Sequence, residues 1–306
     1  MNTPKINPYI VLTIGVLSVS TSAIFVKLST AEAGVIAFYR MFFSVLIMLP
    51  FLSRRYLYEL RTITKKDWLF TIIAGIFLAF HFILWFESLN YTSVASSTVL
   101  VTLQPLFAFI GTFIFFKEKF SAKAVICAIV AVVGSVVISW GDFRISGMAL
   151  YGDFLALIAC ALITAYLLFG QTVRQRLSLI VYTFLVYLIS SIVLFLYVIV
   201  MGDTLFPYPS SDWIYFLLLA IVPTLFGHTL FNWSVKWLST STISMAILFE
   251  PVGAALLAFY ILDENILGTQ IIGGLIIIIS VSLFLYNDRR LKTIDQKINE
   301  LTHLNK

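Results

Sequence analysis

The sequence predicts an all-α integral membrane protein of ten transmembrane helices, arranged as two inverted five-helix repeats. Three observations carry that prediction. The first is composition: of 306 residues, 60% are hydrophobic and only 11% are charged. Ordinary soluble domains are about 45–50% apolar and about 25% charged. So little charge cannot cover a water-facing surface, and so apolar a chain does not stay disordered. The second is a series of ten long apolar runs. The third is that the second half of the chain repeats landmarks of the first.

The runs lie at about 9–29, 33–52, 68–88, 92–116, 122–140, 149–169, 178–201, 213–237, 240–262 and 268–286. A bilayer core takes roughly 20 apolar residues per helix, whereas a β-barrel shows alternating segments of about 10. These runs are continuous, so they are helices. The first is read as a membrane span and not a cleaved signal peptide, since no small-residue cleavage site separates it from the second. With the N-terminus in the cytoplasm, inside segments hold 17 Lys and Arg, outside segments hold Lys27 and Arg144, and Arg40 lies within a span. That is the positive-inside pattern, with both termini cytoplasmic. The net charge of +5 is spread over short loops, so nucleic-acid binding is not expected.

The internal repeat follows a register of 146 residues. Asp67-Trp68 opens the third span and Asp212-Trp213 the eighth. Pro105 and Pro251 sit mid-span in the fourth and ninth, with Glu118 and Glu264 each thirteen residues further on. Ser93/Ser239, Ala108/Ala254 and Phe113/Phe259 also match. Five spans per half is an odd number, so the second half enters the membrane upside down. The charges agree: Lys117-Glu118-Lys119 is basic, while its counterpart Asp263-Glu264-Asn265 is acidic. Inverted repeats are a common plan of secondary transporters, with a site near the midplane.

The run Phe80-His81-Phe82-Ile83-Leu84-Trp85-Phe86, then Tyr91-Thr92-Ser93-Val94-Ala95-Ser96-Ser97-Thr98 and Gln104-Pro105, resembles the EamA-type family of the drug/metabolite transporter superfamily. Phe249-Glu250-Pro251-Val252 through Asp263-Glu264 resembles the closing signature of the same domain. The resemblance covers 9–140 and 151–286 as two domain copies, with 287–306 left as a cytoplasmic tail. It implies export of small metabolites or drugs, from a bacterial plasma membrane, and names no substrate. The copies are asymmetric: Gln104 stands where the second half has Glu250, and Phe184 lies near the position matching Arg40.

Ionisable groups inside a membrane cost about 2.5–3.5 kcal/mol each on insertion scales, so each is a functional candidate. Glu250 lies deep in its span, beside a proline that frees a backbone carbonyl. Burial disfavours a charged carboxylate, which suits a proton-coupling group; a structural hydrogen-bonded glutamic acid is the alternative. Arg40 could hold an anionic substrate group, pair with Glu250, or snorkel to the outer interface. His81 and His228, on repeat-mate spans with registers a residue or two apart, could relay a proton or merely pack. Glu87 is a coupling candidate or an interfacial carboxylate. Gln104 and Asn232 could bind substrate or act as interhelical glue. Trp85 and Trp233 are candidate walls for a flat or apolar substrate. Substrate-binding candidates are thus Arg40, Trp85, Gln104, His228, Asn232 and Trp233; coupling candidates are Glu250, His81 and Glu87.

Neither a cofactor nor a metal is expected, because no ligand spacing is present and Cys127 and Cys160 fall singly inside spans. Small residues in the fifth span (Ala124, Ala128, Ala131, Gly134, Ser135) and tenth (Gly268, Gly273, Gly274) permit close packing, within one chain or as a homodimer face. Leu291, Ile294, Ile298 and Leu301 read as a short amphipathic helix on the membrane or a partner. Three function classes stand. A secondary transporter fits best, with no P-loop motif to supply nucleotide energy. An uncoupled channel or facilitator is second. An integral membrane enzyme is third, since no H-E-x-x-H or G-x-S-x-G is present.

Overall fold

The computed structural model describes residues 4, 6–140, 147–263 and 266–304. Lys5, Arg144, Glu264, Asn265 and Lys306, used in the charge and repeat arguments, lie outside them. The ten spans are all present among the described residues. Spans 1 to 4 are Pro8–Leu28, Ala33–Phe51, Lys65–Ser88 and Val94–Phe116. Span 5 is Ala122–Ser139 and span 6 Gly147–Val173. Spans 7 to 9 are Leu179–Met201, Ser210–Ser234 and Thr240–Ile261. Span 10 begins at Gly268 and its helix runs to Leu304. The fold is an all-α multi-pass membrane bundle.

Most ends follow from caps. Thr64 accepts the Asp67 N–H and starts span 3 a turn before Trp68. Pro209 precedes span 8, so that span runs from Ser210 to Ser234 and not from 213 to 237. Span 6 continues to Val173, four residues past its expected end. From 287 to 304 the backbone prolongs span 10, with no glycine or proline to break it; the side chains of Leu291, Ile294, Ile298 and Leu301 lie outside the described residues.

Spans 1, 4 and 9 are interrupted. Span 1 breaks at Ser20-Thr21, between Pro8–Val19 and Ser22–Leu28. Span 4 comprises Val94–Val101 and Gln104–Phe116; span 9 comprises Thr240–Ile247 and Glu250–Ile261. The second pair of pieces starts 146 residues after the first. Ser93 and Ser239 cap the first pieces through the N–H of Ser96 and Thr242. Lys117 and Asp263, also 146 apart, both take left-handed conformations (φ 57° and 55°) where the second pieces end.

Packing obeys the same exchange of halves. Span 3 packs on span 6, and span 8 on span 1; spans 2 and 7 pack on each other, as do 5 and 10. Ser190 of span 7 donates to the Gly75 carbonyl of span 3 at 2.7 Å, and Ser44 of span 2 approaches the Ala220 carbonyl of span 8 at 3.4 Å. Matched contacts on both sides of an odd-span repeat are what an inverted two-fold produces. The small residues of spans 5 and 10 meet within one chain: a Cβ on Gly134 would sit 3.0 Å from the Gly273 carbonyl. Bulky apolar side chains such as Ile126, Ile199 and Leu275 cover the outside of the bundle, where lipid replaces water as solvent. A short helix, Arg54–Arg61, joins spans 2 and 3 on the face carrying the N-terminus.

Candidate substrate cavity

The interruptions of spans 4 and 9 place Gln104 and Glu250 as first residues of half-helices, followed by Pro105 and Pro251. Proline costs little there, since its missing N–H would have no helical partner. The Thr102 hydroxyl donates to the Thr98 and Val99 carbonyls, both at 2.9 Å, covering groups exposed by the break in span 4. Half-helix N-termini carry partial positive charge, so both residues sit at the positive ends of backbone dipoles at mid-depth.

Between these ends lies an enclosed cavity, lined by Ser22, His81, Trp85, Gln104, His228 and Glu250 together with apolar side chains of spans 1, 4, 6, 8 and 9. Its volume is about 20 Å³, on a scale where one water needs roughly 10–15 Å³. It therefore has room for a water or two in this conformation. The His81 ring lies near-parallel to Trp85, with centroids 5.8 Å apart. His81 Nδ1 is 2.9 Å from the Ala159 carbonyl. A carbonyl only accepts, so Nδ1 carries a hydrogen. His228 stands edge-on to Phe82. Trp85 Nε1, Gln104 Oε1 and His228 Nδ1 are buried with no hydrogen-bond partner among the described residues.

Arg40 is fully buried one layer behind this cavity. Its Nη1 donates to Ser22 Oγ and its Nε to Thr224 Oγ1, both at 2.8 Å. The guanidinium lies 4.1 Å from the Phe82 ring centroid, a cation–π contact. Arg40 therefore neither snorkels to an interface nor forms an ion pair with Glu250. Two hydroxyls and an aromatic face take the carboxylate's place, and Nη2 has no hydrogen-bond partner among the described residues.

The other candidates lie elsewhere. Glu87 is at the far face, accepting from Tyr91 Oη at 3.0 Å and Asn90 Nδ2 at 3.2 Å. Its carboxylate pushes the Tyr91 phenol above its usual value. Asn232 is fully buried outside the cavity, where its Nδ2 meets the Tyr166 hydroxyl and its backbone carbonyl accepts from Arg174 Nε at 2.8 Å. Trp233 is half-buried against Trp237. The structure thus gathers His81, Trp85, Gln104, His228 and Glu250 in one place, with Arg40 adjoining.

Three features escaped the sequence reading. Ser22 joins the cavity to Arg40, and its only signal was the Ser20-Thr21-Ser22 run. Arg174, counted as a loop charge, is almost wholly buried, binding the carbonyls of Asn232 and Leu177. Burial lowers its pKa to about 10, so it remains cationic at neutral pH. Asp67 and Asp212, noted only as repeat marks, fasten opposite ends of the bundle. Asp67 accepts from Arg176 between spans 6 and 7. Asp212 accepts from the N–H and hydroxyl of Thr30, between spans 1 and 2, at 3.0 and 2.7 Å. Thr30 and Arg176 are themselves 146 residues apart.

The unequal register of the histidines also has a structural origin. The aspartates are 145 apart, the histidines 147. The two extra residues fall between Asp212 and His228, where Ala220–His228 is π-helical. A π turn takes one more residue than an α turn. It also turns Thr224 toward Arg40, with its hydroxyl shared between Arg40 Nε and the Leu219 carbonyl.

An inverted-repeat membrane bundle with a polar cavity at its pseudo-two-fold defines a transporter architecture. Residues 7–140 and 150–286 each match the EamA-like transporter family, and the chain belongs to that family. An uncharacterized transporter of Synechocystis sp. is 28% identical over 237 residues, covering 74% of this chain and 68% of the relative. The uncharacterized transporter YxxF of Bacillus subtilis is 26% identical over 65% of this chain and 64% of its own length. One from Archaeoglobus fulgidus is 21% identical over 85% and 90%. A crystal structure superposes with a TM-score of 0.73 at 16% identity, covering 93% of this chain and 98% of that one. That likeness concerns the fold.

Proposed function

We propose that this chain is a secondary transporter that exports a small polar metabolite or drug across the plasma membrane by alternating access, with both termini cytoplasmic. The substrate sits between Trp85, Gln104, His228 and Glu250, and Glu250 couples transport to a proton gradient. The observation that carries this reading is the set of orphaned groups on one cavity: Trp85 Nε1, Gln104 Oε1 and His228 Nδ1. A buried polar atom without a partner costs about 1–3 kcal/mol. Three such atoms facing one space favour a solute offering both donors and acceptors, with Trp85 and Phe231 against its apolar part. The cavity is too narrow for a metabolite as it stands, so the halves must part on one side at a time. The Asp67–Arg176 and Asp212–Thr30 latches, on opposite faces and related by the repeat, are placed to hold the two mouths closed.

The test is thermal unfolding of the purified protein against amino acids, nucleobases, organic acids and amphiphilic cations. A ligand at a hundred times its dissociation constant adds about 2.7 kcal/mol to the folded state. One class should raise the Tm, and Trp85→Ala or Gln104→Ala should remove the rise. A shift that survives both substitutions, or none across the panel in folded protein, removes the cavity from the account.

A further inference from the structure

The helix Arg54–Arg61 and the first two residues of span 3 carry five cations that the cavity does not use: Arg54, Arg55, Arg61, Lys65 and Lys66. All five are exposed, and none has a carboxylate within 4.0 Å among the described residues. The helix's one acid, Glu59, is turned inward, where Oε1 accepts the Ser178 N–H at 2.6 Å. Tyr56 and Leu60 pack on the bundle core. The orientation is thereby fixed, with the arginines outward. Beside them lie side chains that a water-facing helix would not display: Leu57, Tyr58 and Phe51 are 50%, 70% and 62% exposed.

We infer that Arg54–Arg61 is an interfacial anchor that binds acidic phospholipid headgroups on the face carrying the N-terminus. Apolar and aromatic side chains entering the acyl boundary, with cations at headgroup level, are what an in-plane helix requires. Guanidinium forks match phosphate geometry bidentately. Charge complementarity chooses the acidic lipid over a zwitterionic one. The repeat-mate connection, residues 202–209, also exposes an aromatic ring, Phe206, but carries no Lys or Arg. The recognition is therefore one-sided.

The test is the relative association of spin-labelled phosphatidylglycerol and phosphatidylcholine with the full-length protein in phosphatidylcholine vesicles. A cation near the surface is worth about fivefold in association with acidic lipid. The combined variant Arg54→Gln, Arg55→Gln, Arg61→Gln should lower the phosphatidylglycerol preference severalfold at low salt. The corresponding Arg→Lys triple should keep most of it, which separates charge from folding. Lys119→Gln with Lys123→Gln, on the same face but away from the helix, should keep it as well. A glutamine triple that retains the preference overturns the inference. So does a Lys119/Lys123 pair whose loss costs as much.

Discussion

Arg176→Gln should open the bundle on the face carrying the N-terminus and leave the far face closed. Asp67 is almost fully buried, while the Arg176 side chain is 48% exposed. Nε of Arg176 approaches Asp67 Oδ1 at 2.9 Å, its Nη2 reaches the same oxygen, and Thr64 Oγ1 donates to Oδ2 at 2.7 Å. Hydrogen bonds to charged groups contribute about 1.5–3 kcal/mol, and exposed ion pairs about 0.2–1 kcal/mol. Half exposure puts this pair between, at about 1.4 kcal/mol, or tenfold in an equilibrium. The pair joins span 3 to the connection between spans 6 and 7, so its energy is lost only when that mouth opens. Hydrogen exchange reads the opening directly. The amides of Arg176 and Leu177 bond to the Val173 carbonyl, and that of Ser178 bonds to Glu59. In Arg176→Gln they should exchange about tenfold faster, while Thr30, across the bundle, does not change. Adding Arg176→Gln to Asp67→Asn should cost little more, because the two act through one contact. Unchanged exchange at 176–178, or an equal rise at Thr30, would refute the assignment of this pair to one mouth.

The opposite latch should behave differently. Asp212→Asn should speed exchange of the Thr30 amide, and raising NaCl from about 0.05 to about 0.5 M should speed exchange at 176–178 but not at Thr30, since only the first latch is an ion pair. Gly134→Val should lower the Tm by several degrees. A Cβ there meets Ile276 Cγ2 at 2.9 Å and the Gly273 carbonyl at 3.0 Å, and overpacking costs about 1–3 kcal/mol. Gly268→Ala, with nothing within 4 Å, should leave the Tm unchanged in the same scan.

The fold was legible because lipid imposes a simple rule: a span must be long, apolar and helical. The inverted repeat was legible because Pro105 and Pro251 mark helix breaks, and backbone breaks leave fixed residue types behind. The cavity lining was legible where depth alone decides, as for Gln104 and Glu250 beside those breaks. It was not legible where the helix face decides. Asn232 and Trp233 lie four and five residues after His228, yet neither lines the cavity. The π-helical stretch shifts their register, and no sequence period announces a π turn. Arg40 was rightly marked as costly, but its partners, Ser22 and Thr224, come from two other spans. Hydroxyls are too common in the sequence to single out. Asp67 and Asp212 stood in plain view as repeat landmarks. Their role needed the connections they fasten, which only the packing of spans 3, 6, 8 and 1 brings near.

The central claim, that Glu250 couples solute movement to protons across a shared cavity, is most directly tested in vesicles containing the purified protein. Glu250→Gln keeps the side chain's shape and removes its ability to release a proton. The measurement compares accumulation of the solute driven by a pH gradient with its exchange at equal pH on both sides. Coupling at Glu250 predicts that the variant loses pH-driven accumulation and retains exchange. Accumulation that persists in Glu250→Gln would contradict the claim and leave Glu250 as a structural residue of the cavity.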